Sequence, residues 1–211
     1  MSGSATTVSH RRLVDEFLPA YDVSDAVAVT VDADVGGTWD ALLRADLIEV
    51  GRRKPLVGAL GALRMLPDLA AQILHGERPS SPERMTLHDI ATIPLGEGGW
   101  MLLGERARDE IALGLVGKFW RPVIKFAAVD ASDFADFAVP GYAKTVYSLS
   151  VSDLGDGRTL LTGLMRTATT DQHARSWFRR YWTFGVGSGA HVLVEGLLDM
   201  VREDAEGRGA D

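Results

Sequence analysis

Period-two alternation opens the chain's ordered part. Val27, Val29 and Val31 alternate with Ala28 and Thr30, which predicts a strand with one buried face. Asp32-Ala33-Asp34 ends it, and Asp34 is placed to cap a helix through Trp39, Leu42 and Leu43. Pro55 to Ile73 has helical character, divided at Pro67. From Met85 the texture changes to strands and turns, with candidate strands at 85–94, 99–105, 108–116, 119–129, 142–153 and 158–169. Turn signals separate several of them: Gly96-Glu97-Gly98-Gly99, Arg106-Ala107-Arg108 and Gly155-Asp156-Gly157. The last predicts a tight hairpin, because Asp-Gly between alternating segments favours positive φ. In its first arm Tyr147, Leu149 and Val151 alternate with Ser148, Ser150 and Ser152, which predicts one buried face and one wet face.

Thr169 and Gln172 stand at capping-box spacing before a final helical run to about Arg202. Ala174, Trp177, Phe178, Tyr181 and Trp182 share one face of that run; Ala190, Leu193, Val194, Leu197, Leu198 and Val201 share another. On one unbroken helix the two stripes would differ by roughly 155°. The glycines among Gly185 to Gly189 weaken the helix where the face switches, each by about 1 kcal/mol relative to alanine. A break, or a bend above about 20°, is expected there. The second half would then cover another surface, such as the Pro55 to Leu74 helices or a partner subunit, in which case the protein is a homodimer.

The order of strand, helices, consecutive strands and long helix specifies an α+β protein of the helix-grip kind: a curved seven-stranded antiparallel sheet around a long C-terminal helix, with two helices after the first strand. Residues 1–12 and 204–211 read as flexible tails around one domain over 13–203. The first strand is expected at the sheet edge, paired with the second strand or the last.

Composition removes several function classes. The formal net charge is -7 and the basic residues are scattered in short runs, so nucleic-acid binding lacks its concentrated positive field. There are no cysteines, which excludes disulfides, thiolate metal sites and cysteine nucleophiles. The Ser/Thr-rich start lacks the apolar run of a signal peptide, and a cytoplasmic location is expected. Pro55 to Leu74 is the longest apolar stretch, but Arg64, Pro67 and Asp68 interrupt it, so no membrane span is expected.

The strand followed by Val31-Asp32-Ala33-Asp34 and then Thr38-Trp39-Asp40-Ala41-Leu42 resembles the opening of the START-like (SRPBCC, polyketide-cyclase/lipid-transport) superfamily. Thr38 stands where an apolar residue usually precedes the tryptophan. The order of elements resembles that family over roughly residues 25–203. The resemblance implies a cavity between sheet and C-terminal helix that holds an apolar or amphipathic small molecule. Some relatives bind lipids and some cyclise or aromatise polyketides. The superfamily has no universal catalytic set, so the resemblance assigns no catalytic residue and no cofactor.

Direct reading of the residues gives no catalytic or metal signature either. The histidines (His10, His75, His88, His173 and His191) are too dispersed for a helical zinc pair. His191 and Glu195 are one helical turn apart, as an acid/base pair or as a solvated face. Gly185 to Gly189 follows a helix, which rules out a dinucleotide loop, and Val186 breaks the G-x-S-x-G elbow. Arg166, out of register with Leu161, Gly163 and Met165, is expected on the outer side, with Glu105 and Glu110. Aromatic residues cluster at Phe119, Trp120, Phe126, Phe134, Phe137 and Tyr142, and again on the last helix; they suit a core or a ligand wall. The segment Asp130 to Gly141, with Ser132 able to cap a turn, is a candidate to close one mouth.

The expected function is binding of a lipid, polyketide or sterol-like molecule by Trp100, Ile111, Leu113, Phe119, Trp120, Tyr147, Leu149, Met165, Trp177 and Tyr181. The alternative is a cyclase, aromatase or dehydratase in the same cavity, with Tyr147, Tyr181 and His191 moving protons. A further alternative is an interaction protein with a collapsed cavity. A cavity above about 300 Å³ with convergent polar groups would favour the first two, and a filled interior the third.

Overall fold

The computed structural model describes residues 11–53, 83–95 and 98–207, and of Gly185, Val186 and Ser188 the backbone alone. The helices expected over Pro55 to Leu74 lie outside the described residues. The chain runs α1 (Leu13–Phe17), β1 (Val23–Val31), α2 (Val35–Arg44), α3 (Leu47–Arg53), α4 (Leu87–Ile90), β2 (Pro94–Leu95), β3 (Gly98–Gly99), β4 (Met101–Arg106), β5 (Glu110–Gly117), β6 (Ala143–Gly155), β7 (Arg158–Thr169), α5 (Gln172–Tyr181) and α6 (Gly187–Ala205). Strands β4 to β7 form an antiparallel meander, and β1 joins beside β7, giving the order β1-β7-β6-β5-β4. The first strand is thus an edge strand paired with the last, as expected. Strands β2 and β3 form a separate small pair.

Two of the expected strands take other forms, so the main sheet has five strands. At 85–94 a reciprocal cap wins: Asp89 Oδ2 accepts the Thr86 N–H at 2.8 Å and Thr86 Oγ1 accepts the Asp89 N–H at 3.3 Å, which nucleates the short helix α4. At 119–129 the chain leaves the sheet in a loop, tied back by a bridge between Gly117 and Phe126. Pro122 in that loop has no N–H to give a ladder. The hairpin between β6 and β7 follows expectation, with positive φ at Gly155, Asp156 and Gly157.

The inner face of the sheet is covered by α6 and α2, with α3 packed on α6. Val31, Leu161, Leu149 and Ile111 share a core there with Trp39, Leu42, Val50, Leu197, Leu198 and Val201. Helix α2 starts as expected, with Asp34 Oδ1 accepting the Gly37 N–H at 2.7 Å. The departure at Thr38 has a cost: the side chain is fully buried and its hydroxyl has no partner among the described residues. Thr38→Val keeps the shape and removes the unpaired hydroxyl, so it should raise stability by about 1 kcal/mol in a urea melt.

The outer face is wet along β1, where Ser24, Ala26, Ala28 and Thr30 are exposed, and at Ser152, but its centre is not. Helix α1 and the turn at Ala131–Asp133 cover it, packing Leu13, Val14, Leu18 and Phe134 on Ala112, Val116 and Val146. Ser148 and Ser150 are therefore buried, and β5 is buried at every position. Glu110 and Arg166 do point outward, but under α1. Glu110 is 2% exposed, and Arg166 Nη1 donates to Asp15 Oδ1 at 2.6 Å while its guanidinium stacks over Tyr21. The Asp130 to Gly141 segment, expected at a cavity mouth, belongs to this outer layer through Phe134. Ser132 bonds its neighbour Asp133 at 3.4 Å and caps nothing.

The final helix bends. Gln172–Phe184 and Gly189–Ala205 meet at 62°, through a π-helical turn at Trp182–Val186. Gly187 lets the Trp182 ring close over the bend, since a Cβ there would stand 2.7 Å from Trp182 Cε2. Helix α6 lies on the sheet at β1 and β7 and packs against α2 and α3. It continues to Ala205, past the expected end near Arg202, and Asp204 bridges Arg44 at 2.9 Å. No single described helix is long and apolar enough to cross a membrane; α5 and α6 together are, but they are bent apart and bury Phe178, Leu197 and Leu198.

Candidate ligand cavity

Antiparallel register sets two transverse rows on the inner face. One is Asp25–Met165–Tyr147–Leu113 and the next is Val23–Thr167–Thr145–Leu115. Above these rows pass α5 and the bend, bringing Phe178, Tyr181, Trp182 and Ala190 down; Trp100 and Phe119 close the side. A cavity of ≈ 110 Å³ remains between them.

Helix α5 is positioned from its first residue. Asp171 caps it, accepting from Ala174 N–H at 2.8 Å and from Gly141 N–H, and these bonds hold its carboxyl below the usual carboxylate range. The expected capping residue, Thr169, is engaged elsewhere: its hydroxyl and N–H both donate to Asp22, at 2.6 and 2.8 Å.

Among the described residues the cavity wall carries no charged side chain. Its polar groups are hydroxyls. Thr145 and Thr167, both buried, bond to each other at 2.9 Å. One hydroxyl hydrogen serves that bond, and the second can serve another acceptor. Tyr147 packs edge-on against Trp100 at 5.4 Å, and burial, then the nearby Tyr181 and Asp25, pushes its phenol far up. It stays a neutral donor at any physiological pH.

Among the residues expected to bind ligand, Trp100, Phe119, Tyr147, Met165 and Tyr181 meet around this cavity. Ile111, Leu113 and Leu149 lie along the same face in the core beside Leu198. Trp120 packs on the Phe119 and Phe178 cluster without lining the space. Trp177 is the clear correction: it is 45% exposed. At about 100° per residue it stands well round the helix from Phe178, the centre of the buried stripe. Trp177→Ala should therefore cost less than about 1 kcal/mol in a thermal melt, where a core tryptophan would cost about 3–5. The expected binding set left out Leu115, Thr145, Thr167 and Ala190, and held Phe178 and Trp182 only as part of the aromatic helix face. The first three were legible as the next inward positions along β5, β6 and β7, and Phe178 and Trp182 as neighbours one helical turn apart.

His191 bonds across the fold to Asp25, at 2.9 Å from Nδ1 to Oδ2, instead of working with Glu195. The pair is half-exposed and stands beside the cavity, outside its lining. Among the described residues no three His, Asp or Glu side chains converge as metal ligands. Two other hollows lie on the surface. A charged one of ≈ 200 Å³ sits among ion-paired Arg44, Arg53, Glu203 and Asp204, and an open groove of ≈ 510 Å³ runs past Ile93, Gly98 and Val129. Neither lies between sheet and C-terminal helix.

No protein-family model matches the chain, and no curated protein matches it. Solved structures do. A conserved protein from Geobacillus kaustophilus is 12% identical, with 87% of this chain and 95% of that one covered at a TM-score of 0.38. The Zhui aromatase/cyclase from a Streptomyces species is 10% identical, covering 90% of this chain and 99% of that one at 0.30. CalU16 from Micromonospora echinospora is 13% identical, covering 89% and 86% at 0.28. With superpositions this loose, the case for function lies in the cavity walls.

Proposed function

We propose that the chain binds a compact, uncharged, mostly apolar molecule carrying one hydrogen-bond acceptor, in the cavity under α5 and the bend. The supporting observation is the lining itself: aromatic, aliphatic and thioether side chains with neutral hydroxyls converging at Thr145, Thr167 and Tyr147, and no charge among the described residues. The volume sets the size. A space of ≈ 110 Å³ is on the order of the ~150 Å³ apolar cavity that admits benzene, and it does not reach the ~300 Å³ expected to favour a lipid, polyketide or sterol ligand. One ring fits; a sterol, lipid or polyketide would have to displace Trp182 or Phe178. This reading agrees with the START-like resemblance in the ligand's place, between sheet and helix, and narrows its size.

A cyclase or dehydratase is the second reading, and the His191–Asp25 pair is the observation that favours it. Its position outside the lining makes binding the preferred function.

Native mass spectrometry of freshly purified protein would show a co-purifying small molecule. Titration with acetophenone, a neutral ring with a carbonyl acceptor, should quench the fluorescence of Trp100 and Trp182 saturably, and benzoate should not. Ala190→Leu fills the space and should abolish the quenching while leaving the melting temperature equal or higher. Absence of saturable quenching by acetophenone, or quenching untouched by Ala190→Leu, would sink the proposal.

A further inference from the structure

Among the described residues nothing packs on the outer face of α5. His173, Trp177, Arg180 and Phe184 follow one another at i, i+4, i+7 and i+11, and all four are exposed. Phe184, at the bend, is 86% exposed, and Trp177 is 45% exposed. The Trp177 indole N–H donates to His173 Nε2 at 3.2 Å, and the Arg180 guanidinium lies 5.6 Å from its ring, so this face is ordered and amphipathic.

Charge is distributed in the same place. From Gln172 to Val194 the chain has no Asp or Glu, while it has Arg175, Arg179 and Arg180, in a protein of net charge -7. Arg175 is committed to Asp22 at 2.6 Å. Arg179 and Arg180 are exposed beside the aromatic stripe.

We infer that this face docks on an anionic lipid bilayer surface, with Phe184 and Trp177 entering the headgroup boundary and Arg179 and Arg180 meeting the lipid charges. An aromatic and basic helix face is the composition that binds such an interface. The form of the patch favours a bilayer over a protein partner. Its apolar part is a pair of protruding rings at a bent corner, far short of the ~800 Å² that a stable protein interface takes from each side, and a bilayer needs no complementary shape. The inference does not depend on the cavity holding a ligand.

Co-sedimentation of the full chain with vesicles of phosphatidylcholine, alone or with one third phosphatidylglycerol, tests it. Binding should be confined to the anionic vesicles and fall with added salt. Phe184→Ser should weaken partitioning about tenfold, and Arg179→Gln with Arg180→Gln about fivefold for each arginine. All variants should keep the wild-type circular dichroism and melting temperature. Failure of the wild type to sediment with anionic vesicles, or equal binding to both kinds with the variants unchanged, would overturn it. So would a concentration-dependent dimer, lost in Phe184→Ser, in a protein that ignores vesicles.

Discussion

Glu110→Ala should lower the free energy of unfolding by about 3 kcal/mol or more, and Glu110→Gln by about 1. The carboxylate is 2% exposed at the start of β5, beneath α1. Its Oε2 accepts the Leu13 N–H at 2.7 Å, its Oε1 accepts the Ser148 hydroxyl, and Arg106 Nη1 stands 3.7 Å away. Arg106 in turn donates to the Arg11 carbonyl at 2.8 Å and to Glu16. Helix α1 is too short to hold itself, so this cluster and the packing of Leu13, Val14 and Leu18 keep it on the sheet. Alanine strands a buried N–H and a buried hydroxyl and removes one of the two carboxylates beside Arg106, leaving Glu16. Glutamine keeps an acceptor and the shape. Urea melts give the energies, and amide exchange at Leu13 to Leu18 should accelerate in the alanine variant before the sheet opens. An alanine variant within about 1 kcal/mol of wild type would refute this account of α1.

Gly163→Ala should cost about 3 kcal/mol, the upper end of overpacking, for the addition of a single methyl group. Gly163 sits in β7 between Val27 and Leu149, and α6 crosses directly above it. A Cβ there would lie 2.4 Å from Val194 Cγ1, on a stiff side chain with no easy rotamer escape. Val194→Ala in the same chain should recover much of the loss, so the double variant should be more stable than the sum of the two single changes predicts. Strict additivity in denaturant melts would mean that α6 does not approach the sheet at Gly163.

Local signals carried the architecture far. Alternation along Val27 to Val31 and Tyr147 to Val151, with Asp156-Gly157 between β6 and β7, is enough to specify an antiparallel meander, because strand period and turn chemistry act over a few residues. The two stripes of the last helix, set against the glycines from Gly185, are enough to specify a bend, which is 62° in the structure. Alternation misled where a competing local bond was available, as with Thr86 and Asp89 at α4.

Which layer each side chain joined was settled only in three dimensions. The aromatic cluster of the middle segment divides: Phe119, Trp120 and Phe126 go to the cavity side, Phe134, Phe137 and Tyr142 to the outer layer. Ser148, Ser150 and Glu110 lie on the face the alternation assigned them, yet α1 buries that part of it. His191 found Asp25 at a separation of 166 residues, not Glu195 one turn away. Periodicity tells which side of an element is apolar, since that follows from its own repeat. What comes to lie over either side depends on contacts between segments far apart in the chain, and no local repeat encodes those.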